Sequence, residues 1–176
     1  MTLESSMNRL VLRAAKAAAI LAALAAMPAF AHVTLETKQA PVGSYYKAVF
    51  RVPHGCAGSP TLKVRVRVPE GVISIKPQPK PGWTLETIKG SYAQPYTVHG
   101  AQITSGVKEV SWSGKLLDDN YDEFVFQAYL AEPTLKPGQV LYFPVVQECE
   151  KGVERWIETA SPSDKPAPSL KLLPKP

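Results

Sequence analysis

A chain of 176 residues with 20 Lys+Arg, 15 Asp+Glu and a net charge of +5 has the length of one ordinary domain. Its basic residues are spread along the chain rather than clustered, which excludes the electrostatic footprint of a nucleic-acid binder. Its longest apolar run, Ala17 to Met27, falls short of the roughly 20 residues that a membrane span requires.

That run is instead the core of a secretory signal peptide, residues 1–31. Arg9, Arg13 and Lys16 supply its positive region, and Ala29-Phe30-Ala31 is an A-x-A-like cleavage site. Cleavage after Ala31 leaves 145 residues carrying 17 Lys+Arg and 14 Asp+Glu, with His32 as the first residue. The expected location is periplasmic or otherwise extracytoplasmic. Met1, Met7 and Met27 leave with the signal, so the mature chain has no methionine. Cys56 and Cys149 are expected to form one disulfide in an oxidising compartment, rather than two thiolate metal ligands.

After His32, strand patterns follow one another and no sustained helical period occurs. "SYYKAVFRV" is the first clear strand, and His54 follows it in the surface turn "PHGC". In "TLKVRVRVP" the alternation places Leu62, Val64, Val66 and Val68 on one face and Lys63, Arg65 and Arg67 on the other. "GVISIKP" and "WTLETIKG" come next, then a loop, "VHGAQ", holding His99, and then "KEVSWSGKL". "YDEFVFQAYL" repeats the alternation, with Phe124, Phe126, Ala128 and Leu130 facing inward. "VLYFPVVQE" and "VERWIET" complete the set. Pro- and Gly-rich punctuation separates these runs. Eight or so short strands predict an all-β, antiparallel β-sandwich of fibronectin-III or immunoglobulin kind over residues 32–160. Residues 161–176, "SPSDKPAPSLKLLPKP", are expected to be a Pro-rich flexible tail without a membrane anchor, leaving the exported product free.

As residue one, His32 would present a free α-amine beside its own imidazole. The amine has a reference pKa of about 7.7–8.0, so a metal displaces its proton readily near neutrality. Nδ1 and the amine of one residue close a chelate ring with little extra chain ordering. With no methionine and both cysteines bridged, donors are limited to nitrogen and oxygen. That set favours Cu(II).

The blocks "AHVTLE", "RVPHGC", "PTLKVRVRVPEGV", "KPGW", "YDEFVF" and "FPVVQECEKGVERW" together resemble the YcnI-like copper-binding domain family, from about His32 to Glu158. The resemblance implies an extracytoplasmic sandwich that binds one Cu(II) through a monohistidine brace: the amine and imidazole of the first histidine, a glutamate, and a tryptophan close to the metal. Carried onto this chain, the brace is His32, the glutamate is Glu123 of "YDEF", and the tryptophan is Trp156 of "GVERW". Asp122 and Glu36 are competing carboxylates. An indole nitrogen only donates, so Trp156 would shield the ion and interact with it through the ring face rather than ligate it. The alternative for Trp156 is a core tryptophan, which is the reading of Trp83 and Trp112.

The function expected is Cu(II) sequestration, buffering or delivery, without enzymatic activity. The partners are the copper ion and other periplasmic copper chaperones or transporters. An alternative is a copper-dependent oxidative enzyme. Lytic polysaccharide monooxygenases also use an N-terminal histidine, but their brace takes a second one, and the only others here are His54 and His99. Another is a metal-free envelope-binding or adhesion module with Tyr45, Tyr46, Trp83 and Tyr92 as a stacking surface.

Overall fold

A computed structural model describes residues 32–175; the expected signal peptide, residues 1–31, lies outside them. The strands in chain order begin with β1 (Thr34–Leu35), β2 (Gln39–Pro41), β3 (Tyr45–Val52) and β4 (Thr61–Arg67). β5 (Val72–Pro77), β6 (Thr84–Val98), β7 (Ala101–Leu116) and β8 (Asp122–Leu130) follow. The last are β9 (Val140–Tyr142), β10 (Val145–Cys149), β11 (Val153–Trp156) and β12 (Ser169–Leu173). Among the described residues no helix is long and apolar enough to cross a membrane.

Two sheets form the sandwich, with strand orders β1-β3-β8-β5 and β11-β10-β4-β7-β6. Their inward faces come from the period-2 pattern of the sequence. Phe124, Phe126, Ala128 and Leu130 of β8 are all fully buried, against Val64 and Val66 of β4 and Val110 and Trp112 of β7 in one core. Phe50 packs tilted against Phe126 at 5.4 Å and edge-on against Phe143 at 5.6 Å, while Trp83 meets Phe124 edge-on at 4.8 Å. Cys56 and Cys149 are joined, with Cα atoms 5.9 Å apart and a sequence separation of 93.

Three local departures follow from backbone chemistry. Leu62, expected inward, is 38% exposed, because the β4–β7 register shifts between Thr61 and Lys63. The irregularity turns Thr61 inward instead, with no exposed surface. "VLYFPVVQE" is two strands rather than one. Pro144 has no N–H for a ladder, and the chain changes sheets there: β9 pairs with β12, while β10 pairs with β4 and β11.

The third departure corrects the flexible tail. Residues 169–173 form β12, parallel to β2 and antiparallel to β9 in a third, three-stranded sheet. Leu170 and Leu172 are fully buried and Lys171 points out, a short alternation set among prolines. The prolines lie before the strand and after it, so its ladder is intact. The domain therefore extends well past residue 160.

Candidate metal centre

His32 lies at a bend just before β1, an edge strand of the first sheet. Trp156 ends β11, the edge strand of the second sheet. The two edges meet. The imidazole and indole centroids are 5.4 Å apart at an interplanar angle of 67°, an edge-on contact. Trp156 is 5% exposed, so its ring is a wall of the core against which the half-buried histidine rests.

The imidazole is also oriented from the other side. His32 Nε2 lies 3.0 Å from the backbone carbonyl of Asp164. A carbonyl oxygen only accepts, so Nε2 carries the proton and the neutral ring keeps its lone pair on Nδ1. Asp164 is held in place by its neighbours. Glu158 N–H donates to Lys165 O at 3.1 Å, Ala167 N–H donates to Glu158 O at 2.8 Å, and Lys165 Nζ pairs with Glu154 at 2.6 Å. The loop expected to be mobile thus fixes the tautomer of His32. A cleft of about 150 Å³ opens between His32, Lys38 and the Pro166–Ser169 stretch.

Glu123 is not brought to this pair. In the ladder it faces Arg51, which in turn faces Thr34, so β3 stands between Glu123 and β1. Its carboxylate accepts from the Tyr121 hydroxyl and lies 3.5 Å from Arg51 Nε. The competing carboxylates are also engaged. Glu36 pairs with Arg51 at 3.2 Å, and Asp122 with Lys80 at 2.5 Å. The Arg51 guanidinium sits between Glu36 and Glu123, which opposes a second cation there. The Tyr121 hydroxyl is pushed up to about 12 by burial and by the hydrogen bond and charge of Glu123. Among the described residues, no group of three or more His, Cys, Asp or Glu side chains is assembled to hold a metal ion.

The other histidines occupy separate places. His54 Nδ1 donates to the Gly55 carbonyl at 2.6 Å in the turn beside Cys56, and His99 stacks on Tyr45 at the β6–β7 turn. Tyr46 and Tyr92 are buried, and Trp83 packs on Phe124, so the four aromatic residues of the stacking alternative form no common surface.

Two contributors escaped the sequence reading. The Asp164 carbonyl is backbone, so no residue type marks it. Gln147 is 2% exposed and accepts the indole N–H of Trp156 at 3.2 Å. It did leave a signal: on β10 it shares the inward parity of Val145, where a polar residue demands partners.

Two facing sheets with β-bulges, a disulfide and a joined pair of edges define an all-β sandwich protein of immunoglobulin-like fold. Residues 32–172 match the family described as Domain of unknown function (DUF1775), and the chain belongs to that family. It is similar to an uncharacterised protein from Nocardia farcinica whose crystal structure has an immunoglobulin-like fold. The identity is 25% and the TM-score 0.56, over 81% of this chain and 98% of that one. No curated protein matches the sequence.

Proposed function

We propose that the protein, once cleaved after Ala31, is an exported Cu(II)-binding protein that sequesters, buffers or delivers copper. This is the role implied by its resemblance to the YcnI-like copper-binding domain family. The supporting observation is the hydrogen bond from His32 Nε2 to the Asp164 carbonyl. Metal-bound histidines typically donate their second nitrogen to such an acceptor, which fixes the ring and raises the basicity of the ligating nitrogen. Here that bond leaves Nδ1 free, the nitrogen that closes a chelate ring with the residue's own amine. Cu(II) bound there would gain a shield from Trp156 on one side.

The donor set suits Cu(II) over Cu(I). Cys56 and Cys149 are bridged, and the chain after residue 31 has no methionine, so soft sulfur is lacking. Reduction of the bound ion is expected to weaken binding sharply. Glu123 would join only on release from Arg51 and Tyr121, so Glu123→Gln is expected to leave Cu(II) affinity essentially unchanged. A sharp loss would restore it as a ligand.

The test is an intact mass of the exported product with and without one equivalent of Cu(II). The expected result is a start at His32 and one added copper, lost when one residue is placed ahead of His32. A start elsewhere, or equal binding with the amine blocked, overturns the assignment.

A further inference from the structure

Gln147 is among the largest fully buried side chains and one of only four polar residues in the buried set among the described residues. Its hydrogen bonds run in three directions. Nε2 donates to the His54 carbonyl at 2.8 Å and to Thr61 Oγ1 at 2.7 Å, and Oε1 accepts from Trp156 Nε1 at 3.2 Å. The orientation of this amide is settled by chemistry. An indole N–H only donates and the His54 carbonyl only accepts, so Oε1 must face Trp156 and Nε2 must face His54.

The three partners come from separate parts of the chain. Thr61 is turned inward by the irregularity at the start of β4, His54 precedes the Cys56 end of the disulfide, and Trp156 ends β11. Gln147 lies two residues before Cys149, so the covalent bridge holds together the segments that the amide joins. His32 packs edge-on against the same indole.

We infer that Gln147 is a positioning residue for the copper site: it fixes the Trp156 indole against His32 and so sets the environment of the ion without touching it. This rests on the copper assignment above. A buried amide with both N–H groups and an acceptor engaged has one low-energy orientation. The hydrogen bond from its Nε1 ties the orientation of the buried indole to that of the amide. An apolar side chain of similar length would take the partner from both Trp156 Nε1–H and the His54 carbonyl, favouring rearrangement of the indole.

The experiment uses protein beginning at His32, Cu(II) as the only probe, and the variants Gln147→Met, Gln147→Glu, Trp156→Phe and Gln147→Met with Trp156→Phe. Methionine fills the same unbranched space, and glutamate, protonated in this buried place so that its O–H donates to the His54 carbonyl, keeps the acceptor that faces the indole. Gln147→Met is expected to bind Cu(II) roughly tenfold more weakly, a size usual for supports behind metal ligands, and to alter the electron paramagnetic resonance spectrum. Gln147→Glu should restore the spectrum. The double variant should be no worse than Trp156→Phe alone, because one acts through the other. Wild-type affinity and spectrum in Gln147→Met, or losses that add in the double variant, would overturn the positioning role.

A metal-free readout separates this from failure of the copper assignment. The Trp156 indole N–H should exchange slowly with solvent in wild type and faster in Gln147→Met, whether or not copper binds. Equal exchange rates in the two proteins sink the positioning role by themselves. Absence of copper binding in wild type, with the exchange difference intact, refutes the metal site and leaves Gln147 only a structural part.

Discussion

His32, which contacts Trp156 and the Asp164 carbonyl, drew notice in the sequence by position: a small-x-small triplet places a single histidine where the proposed cleavage would expose it. Its partners were less so. Trp156 was found through family resemblance, and Asp164 contributes a carbonyl that any residue would supply. Glu123 matched a motif, but a carboxylate's partners depend on the strand beside it, and β3 presents Arg51. The same limit explains Leu62, since alternation assumes an unbroken ladder and a register shift reverses parity without a clear residue signature. For the histidines, the structure makes a firm prediction. His54 donates Nδ1 to its own turn and His99 stacks on Tyr45 at a hairpin tip, so a brace needing either of them is not what is assembled around His32. His54→Ala with His99→Ala should keep both Cu(II) affinity and the electron paramagnetic resonance spectrum of wild type. Loss of either would favour the two-histidine enzyme.

Among the elements, β6 and β7 are much longer than their apolar cores announced. Residues 101–107 of β7 pair only with β6, so the distal arm lacks a second sheet neighbour and is held by side chains. Glu70, between β4 and β5, accepts from Lys108 at 2.7 Å, Tyr96 at 2.7 Å and the Ala93 N–H at 3.2 Å. Burial works to raise the Glu70 carboxyl, but the hydrogen bonds from Lys108, Tyr96 and Ala93, with the charge of Lys108, outweigh it and hold it below its ordinary value. A depressed carboxyl contributes stability above its unfolded pKa of about 4.3 and loses it as pH falls through the folded value. Because the pair is about a third exposed, Glu70→Gln should cost only about 1 kcal/mol at pH 7. Urea unfolding should show that difference shrinking as the pH is taken below about 4, with faster amide exchange in the distal arm at pH 7. The β12 strand makes the opposite lesson quantitative. Its "SLKLL" alternation was present but drowned by five prolines in sixteen residues. Leu170→Ala or Leu172→Ala should each cost about 2–5 kcal/mol in unfolding, since both side chains are fully buried. A flexible tail would register no change.

At the scale of the whole molecule, the fold class was legible because alternation and turn punctuation recur along the entire chain. How the sandwich edges are sealed was not, because sealing depends on contacts between residues far apart in sequence. β1 and β11 meet at one edge, where His32, Trp156 and the Asp164 loop gather, and the disulfide closes the other end of β10, two residues past Gln147. A bridge spanning 93 residues restricts the unfolded chain strongly, which corresponds to about 2–4 kcal/mol. In a domain of this size, reduction should lower the melting temperature by roughly 10 °C. The loss should not be uniform. Thr61, Gln147 and His54 are tied together within two residues of the cysteines or just beyond, whereas the distal β6–β7 arm is anchored through Glu70, which the bridge does not touch. Hydrogen exchange of the reduced protein should therefore accelerate first in β10 and β11 and leave the Tyr92–Val98 stretch near its oxidised rate. Uniform acceleration would mean that the bridge acts on global stability alone and lends no particular order to the β10–β11 edge that carries Trp156.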